Sequence, residues 1–247
     1  MHDELDITNI NVGLPSTVVQ IFKLPQQMID YIWKRIDVAK KEQKCHKKNL
    51  AGNISQSYKL YDPQNLVIQN LYKFVNDPDS NPKMFEFIQM EVKRLYVFTG
   101  LAASPSDSKL TPQIDDMWVN FQKKGEFQPI HNHTGTFSFV IWMDIPYNHK
   151  DEAKLPFSKN SSKIQPGGNF TFVTPCAVNR GINNVVIEMS PKMNGYCCFF
   201  PSDLSHQVYP FYTSDKDRIT ISGNISYHRE AVNPRRVYQF PFHTSET

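Results

Sequence analysis

The chain has 247 residues, of which 40% are hydrophobic and 13% are aromatic, enough for a packed core and too many for a globally disordered protein. Its 27 basic and 24 acidic residues leave a net charge of +3, so composition gives no indication of nucleic-acid binding. Because the sequence has no run of 18 apolar residues and no leader-like start, we expect a cytoplasmic protein without membrane contact.

The first hundred residues are predicted to be mainly helical. Residues 16–23 have the spacing of a short strand, and from Pro25 the apolar residues recur every three or four positions, as on one face of a helix. Two more helices are predicted, over residues 66–75 and from about residue 83 to residue 99, separated by a break rich in Asn, Asp and Pro. We therefore assign residues 1–100 to a helical N-terminal layer.

After residue 101 the spacing of apolar residues becomes typical of strands. Short strands are predicted at residues 116–122, 136–145, 169–174, 184–189, 195–201, 207–210 and 218–227. A polar insert at 147–166 is predicted to be a long loop of the kind that often covers a binding site. Helices followed by many short strands indicate an α+β fold, mainly β. We expect residues 101–247 to form a double-sheet β-barrel of the jelly-roll type, with the helices packed on one sheet.

Three histidines in strand-like sequence are candidate metal ligands. His131 and His133 are two positions apart, so on a strand their side chains point to the same face, and His206 directly precedes a later predicted strand. Imidazole suits iron, zinc, copper and nickel, and closure of the sheet could bring the three rings to one ion. Arg218 opens another strand, where a fixed cation could hold an acidic co-substrate. Each histidine alone is equally well explained as a surface or core residue; the set favours a metal.

The run from Trp118 to Tyr227 resembles the 2-oxoglutarate and Fe(II)-dependent oxygenases, in particular small prolyl-hydroxylase-like members of bacteria and marine bacteriophages. The resemblance is carried by Trp118-Val119-Asn120, His131-Asn132-His133, Ser138-Phe139-Val140, the stretch from Gly195 to Pro201, His206, and Arg218 with Asn224. The stretch Leu50-Ala51-Gly52-Asn53-Ile54 is also similar to such phage proteins.

The resemblance implies a cupin-like double-stranded β-helix that binds Fe(II) and 2-oxoglutarate. It implies a hydroxylase of a peptide, an amino acid or a small metabolite, in the host cytoplasm if the gene is carried by a phage. By match, His131 and His206 are iron ligands, and Arg218 holds the far carboxylate of 2-oxoglutarate. Thr220 stands where the family has the hydroxyl of its Arg-x-Ser pair. The residues assigned to the cofactors also include Asn120 and Asn224.

One position departs from the family's pattern. The iron-binding triad of the family is His-x-Asp/Glu followed by a distant His, and this chain has His133 in place of the carboxylate. We favour an all-histidine triad of His131, His133 and His206. The alternatives are an iron site that is open at this position, or a carboxylate supplied by Asp203 or Glu126.

The sequence gives less information about the substrate. Trp118, Ser138 and Trp142 are predicted to contribute to a substrate pocket. Two other classes of protein stay open. One is a cupin-like three-histidine metalloenzyme that does not use 2-oxoglutarate. The other is a non-catalytic β-sandwich, such as a virion or interaction protein, whose histidines are incidental. The sequence does not indicate an oligomeric state.

Overall fold

Ten strands and five α-helices lie in the part of the chain that the computed structural model describes, residues 19–98, 108–159, 167–175 and 181–231. The helices are α1 (Gln26–Glu42), α2 (Leu66–Val75), α3 (Pro82–Phe98), α4 (His149–Glu152) and α5 (Pro156–Lys159). The strands are β1 (Gln20–Lys23), β2 (Gln56–Lys59), β3 (Ser108–Gln122), β4 (Gln128–His131), β5 (Phe137–Asp144), β6 (Phe170–Pro175), β7 (Ile182–Ile187), β8 (Tyr196–Pro201), β9 (His206–Val208) and β10 (Arg218–Ala231).

The strands form two antiparallel sheets. The larger sheet has the order β1-β8-β5-β10-β3-β2, and the smaller one has the order β4-β9-β6-β7. Strands that are distant in the chain are therefore neighbours in space, as they are when a sheet folds over on itself into a jelly roll. The predicted α+β, mainly β fold of the double-stranded β-helix type is confirmed.

The three long helices cover the outer face of the larger sheet. Residues spaced three and four apart on α1, such as Met28, Ile32 and Ile36, join one hydrophobic cluster with Val119 and Ile221 of the sheet. The apolar faces of α2 and α3 belong to the same cluster. The helices thus bury one face of the sheet and leave its other face for the interior of the barrel.

The N-terminal part also contributes strands. β1 pairs with β8 and β2 pairs with β3, so two edge strands of the larger sheet come from the first hundred residues. The predicted boundary near residue 100 lies in the segment 99–107, outside the described residues, and the division into two parts stays a prediction. None of the described helices is both long enough and apolar enough to cross a membrane.

The ladder between β3 and β10 determines which side chains enter the barrel. Along β3, the apolar residues Met117, Val119 and Phe121 face the helices, and the residues between them face inward. Four inward pairs stand opposite each other across the ladder: Asp116 with Asn224, Trp118 with Ser222, Asn120 with Thr220, and Gln122 with Arg218. This alternation places polar residues of two long strands side by side on the interior face.

Candidate functional site

A cavity of about 360 Å³ lies inside the barrel and is lined by both sheets. Its walls include residues from the loop before β2, from β3 and β10, and from β4, β6, β8 and β9. The polar and ionisable members of the lining are His46, Asn49, Asp116, Trp118, Asn120, Gln122, Gln128, His131, Asn132, His133, Thr134, His206, Arg218, Thr220, Ser222 and Asn224. A volume of this size can hold a small organic ligand beside an ion.

The three candidate histidines meet in this cavity. His131 ends β4 and pairs across the smaller sheet with His206, the first residue of β9. His133 follows two positions after His131, and its backbone N–H donates to the Ser202 carbonyl 2.8 Å away, which connects it to the turn between β8 and β9. One nitrogen of each ring lies within 4.8 Å of the others. The sequence therefore predicted correctly that these side chains converge.

Two of the rings are oriented by backbone carbonyls. The Nδ1 of His131 donates to the Pro129 carbonyl 2.7 Å away, and the Nδ1 of His206 donates to the Leu204 carbonyl 3.0 Å away. A carbonyl oxygen can only accept a hydrogen bond, so the proton of each neutral ring is on Nδ1. The Nε2 atoms of both rings are left with free lone pairs, which is the form in which imidazole binds a metal.

The third ring is oriented by an amide side chain. The Nδ1 of His133 donates to the Oδ1 of Asn224 over 2.8 Å, and the same oxygen accepts a hydrogen bond from the Ser138 hydroxyl. The Nε2 atoms of His133 and His206 are then two lone-pair acceptors only 3.2 Å apart. Two nitrogens bound to one metal ion at about 2.1 Å are separated by about 3.0 to 3.4 Å, so this spacing suits a shared ion.

Burial keeps all three rings neutral in the metal-free protein. It is the main cause that lowers the pKa of His131 and His206 and brings the pKa of His133 down from 6.5 to about 4. The neighbouring rings lower the pKa of His133 and His206 further, because a second positive charge next to the first is unfavourable. Neutral, correctly oriented imidazoles are therefore available at physiological pH.

These shifts predict that acid destabilises the metal-free protein. In the unfolded chain a histidine binds a proton near pH 6.5, whereas folded His133 binds one only near pH 4, so the free energy of unfolding falls as pH drops through that window. Urea denaturation between about pH 7.5 and pH 4.5 measures this slope. The slope should become smaller in His133→Asn than in wild type. Equal slopes in the variant and in wild type would contradict the prediction.

Arg218 is a buried cation in the wall of the same cavity. Its side chain is 1% exposed, and its Nη1 donates to the Tyr147 hydroxyl and to the Gly168 carbonyl, 3.0 Å and 3.3 Å away. Its Nε has no hydrogen-bond partner among the described residues, and no described carboxylate forms an ion pair with the guanidinium. A buried guanidinium without an acidic partner is unfavourable, so this group suits an anionic ligand.

The structure brings most of the other predicted residues to this cavity. Thr220 and Asn120 are opposite each other on the ladder, and the Oδ1 of Asn120 is buried without a described partner. Trp118 lies between the rings of His133 and His46, with centroid distances of 5.7 and 4.5 Å. Asn224 contacts His133 directly. These four residues line the cavity, but their assigned roles stay predictions.

Two residues predicted for the substrate pocket are elsewhere. Ser138 is fully buried behind the histidines, where its hydroxyl contacts Ser202 and Asn224. Trp142 is also fully buried and packs edge to face against Phe170 in the core. Neither is among the described residues that line the cavity. On β5 both lie on the same face as Val140, which does line the cavity, so alternation alone does not distinguish a cavity wall from a filled core.

The alternative carboxylates lie away from the histidines. The oxygens of Glu126 accept hydrogen bonds from the backbone of Ser55 and Lys123 in a turn, and Asp203 is exposed. Neither lines the cavity, and the described cluster that could hold a metal consists of histidines alone. The structure thus leaves His133 at the position where the family's triad has a carboxylate.

Several residues that shape the site could not be recognised from the sequence. His46 and Asp116 are 70 positions apart, and the His46 Nε2 lies 2.7 Å from the Asp116 Oδ2 in the cavity wall. Tyr147 orients Arg218. The fully buried Glu152 accepts hydrogen bonds from the backbone N–H groups of Tyr212 and Thr213, which hold the segment leading to β10. None of these residues has a spacing that marks it in the sequence, because tertiary contacts bring them together.

Comparison with known families agrees with this geometry. Residues 116–224 match the family model described as "Putative 2OG-Fe(II) oxygenase". The match includes all the residues that the sequence predicted for the site, from Trp118 to Asn224. The resemblance of this segment to the 2OG-Fe(II) oxygenases, stated from the motifs, is therefore confirmed. The cofactors of this oxygenase are Fe(II) and 2-oxoglutarate.

The described residues of the oxygenase fit both cofactors. Three neutral imidazoles with free Nε2 atoms suit Fe(II), which accepts nitrogen ligands. Arg218 is a planar fork without an acidic partner, which suits one carboxylate of 2-oxoglutarate.

Several solved structures are similar to the oxygenase at low sequence identity. A Pseudomonas putida prolyl-4-hydroxylase is 13% identical, with a TM-score of 0.43, covering 85% of this chain and 93% of its own. The viral collagen prolyl hydroxylase of Paramecium Bursaria Chlorella virus-1 is 13% identical, with a TM-score of 0.42 and coverages of 84% and 94%. An oxidoreductase of Burkholderia pseudomallei, of the 2OG-Fe(II) oxygenase family, is 16% identical, with a TM-score of 0.42 and coverages of 88% and 87%. No curated protein matches the sequence.

Proposed function

We propose that this oxygenase binds Fe(II) through the Nε2 atoms of His131, His133 and His206 and binds the far carboxylate of 2-oxoglutarate through Arg218. One observation carries the proposal. The three Nε2 lone pairs converge in the same cavity wall that contains a buried guanidinium without an acidic partner. A bound metal ion would remove the repulsion between the closely spaced lone pairs, and a carboxylate of the co-substrate would neutralise the guanidinium.

The all-histidine ligand set changes the charge at the metal. Three neutral rings leave the full positive charge of Fe(II), whereas a carboxylate ligand would remove one unit of it. A more cationic centre favours anionic partners, and the chelating end of 2-oxoglutarate is an anion. The replacement of the carboxylate by His133 is therefore compatible with binding of the co-substrate.

We propose that the reaction is hydroxylation of a peptide, an amino acid or a small metabolite. When bound, iron and 2-oxoglutarate supply the oxidation: O2, 2-oxoglutarate and one substrate C–H bond give succinate, CO2 and a C–OH group. The chain keeps the iron ligands in place through the hydrogen bonds to Pro129, Leu204 and Asn224. Phe170 stacks on His206 and Phe200 meets it edge to face, which excludes water from that side.

We further propose that the N-terminal layer and the strand-rich part act as one catalytic unit. The loop from His46 to Ile54 belongs to the first hundred residues and contributes to the cavity wall. The Gly52 backbone N–H donates to the Gln128 side chain 2.7 Å away, which fixes this loop against β4. A phage origin, and with it a location in the host cytoplasm, is part of the proposal only through the motif resemblance.

Removal of the Asn224 amide is expected to weaken iron binding. Asn224→Ala deprives His133 of the acceptor that orients its ring, and loss of such an outer hydrogen bond commonly lowers metal affinity by about 10- to 100-fold. Anaerobic titration with Fe(II) measures the change. Asn184→Ala, on the exposed face of β7, is the control and should bind iron as the wild type does. Unchanged affinity in Asn224→Ala would show that the hydrogen bond to Asn224 does not position His133 for iron binding.

The proposal is tested by anaerobic titration of the metal-free protein with Fe(II) and then with 2-oxoglutarate. Chelation of Fe(II) by a 2-oxo acid is expected to give a weak visible charge-transfer band, and we expect a saturable band. Iron binding without this band would favour a cupin-like three-histidine enzyme that does not use 2-oxoglutarate. Failure to bind iron would favour a non-catalytic β-sandwich.

A further inference from the structure

The cavity has two ends of opposite charge. Arg218 is its one Arg or Lys, and Asp116 is its one Asp or Glu, among the described residues of the lining. The two residues lie at opposite ends of the stretch of the β3–β10 ladder that lines the cavity, since Arg218 faces Gln122 and Asp116 faces Asn224. Along an extended strand, the backbone from Arg218 to Asn224 spans about 20 Å. The cavity is thus polarised along its length.

The histidines are next to the acidic end. Asn224 bonds to His133 and stands directly opposite Asp116, so Asp116 is a neighbour of the proposed iron site. If 2-oxoglutarate reaches from the iron toward Arg218, the Asp116 end is left for the substrate. Trp118, between His46 and His133, forms the wall that connects the two regions.

The acidic end offers hydrogen-bond acceptors without partners. His46 Nε2 is 2.7 Å from Asp116 Oδ2. The other carboxylate oxygen of Asp116, Oδ1, has no hydrogen-bond partner among the described residues. The Nδ1 of His46 is buried and has no described partner, and in a ring that donates through Nε2 to a carboxylate it is an acceptor. The Asp116 side chain is 32% exposed, so a ligand can reach it.

We propose that Asp116 and His46 bind a cationic nitrogen group of the substrate, an ammonium or a guanidinium. Such a group carries several N–H donors and a positive charge, and it satisfies both the free carboxylate oxygen and the orphaned Nδ1. The inference rests on the proposed function, because it takes the Asp116 end as the substrate side. It narrows the substrate class to compounds with a basic nitrogen, free or within a peptide.

The competing explanation is that Asp116 only orients His46 against Trp118. The neighbouring residue Asp115 provides the matched control. Its Oδ1 lies 2.7 Å from the His228 Nε2, so it has the same kind of partner, and it is not among the described residues that line the cavity. Asp115→Asn therefore removes a similar carboxylate–histidine pair outside the site.

The test compares two probes of the same shape, butylguanidinium and butylurea, which differ in charge. Their affinities are measured by ligand-detected NMR titration of wild type, Asp116→Asn and Asp115→Asn. We expect wild type to bind butylguanidinium at least about tenfold more tightly than butylurea, as a hydrogen-bonded charge pair requires. Asp116→Asn should bind the two probes within about twofold of each other, and Asp115→Asn should behave like wild type.

Equal binding of the two probes to wild type would overturn the proposal, as would an unchanged preference in Asp116→Asn. If Asp116→Asn does not fold, Asp116→Glu and Asp116→Gln replace it, and only the first should prefer the cation. The titration is carried out on metal-free protein as well as on protein loaded with Fe(II) and 2-oxoglutarate. A cation preference without the charge-transfer band would mean that the proposed function has failed while the subsite stands.

Discussion

His206→Ala is expected to abolish stoichiometric iron binding. His206 supplies one of three converging Nε2 atoms, and two histidines do not replace a third nitrogen ligand. Loss of an outer hydrogen bond already costs about 10- to 100-fold in metal affinity, so loss of a ligand should cost more than about a hundredfold. Anaerobic Fe(II) titration with measurement of the bound iron gives the result.

His228→Ala is the control for this variant. The His228 ring is exposed and pairs with Asp115 outside the cavity, so its removal should leave iron binding unchanged. Circular dichroism and melting of both metal-free variants show whether they remain folded. If folded His206→Ala retained one iron per chain with wild-type affinity, the ligand assignment would be wrong.

Arg218→Ala is expected to weaken 2-oxoglutarate binding by at least about thirtyfold while iron binding stays intact. We expect Arg218 to bind the carboxylate of 2-oxoglutarate that does not chelate the iron, because Arg218 is buried and has no acidic partner in the described structure. 2-Oxopentanoate has a methyl group in place of that carboxylate. Wild type should prefer 2-oxoglutarate strongly over 2-oxopentanoate, and Arg218→Ala should lose this preference. The intensity of the charge-transfer band during titration measures both affinities.

Two further variants make the Arg218 result specific. Arg229→Ala, an exposed position on the same strand, should match wild type. Arg218→Lys keeps a positive charge but loses the planar fork, so it should retain part of the preference. An undiminished preference in Arg218→Ala would remove the assignment of this residue to 2-oxoglutarate and favour an enzyme without this co-substrate.

Much of the fold could be predicted because hydrophobic spacing is a local signal. The second helix was predicted over residues 66–75 and is α2 (Leu66–Val75). β3 was predicted to begin at residue 116 but begins at Ser108, because β10 continues to Ala231 and pairs with the additional residues. The insert predicted as a loop over 147–166 contains α4 and α5 in its described part, and residues 160–166 lie outside the described residues.

The histidine cluster could be predicted from sequence because its members share strand faces or a strand end. His46 and Asp116 could not, since His46 lies in a segment without strand or helix periodicity and its partner is 70 positions away. Trp142 shows the opposite case, a residue that was predicted for the pocket but lies in the packed core. Its position on β5 faces inward, but Phe170 fills the space beside it, and sequence gives no measure of how densely an interior is filled.

Alternate residues of β3 serve two different purposes: one set packs against the helices, and the other set lines the cavity. Substitutions at Met117, Val119 and Phe121 act on the packing against the helices and are expected to change how well the protein folds. Substitutions at Asp116 and at the other inward positions act on what the cavity accepts, with little disturbance of the helical interface. A lineage could therefore exchange one substrate for another by altering every second residue of a single strand. A one-residue insertion within β3 would turn the helix-facing residues toward the cavity and the cavity-facing residues toward the helices. The packing and the cavity would then be lost together.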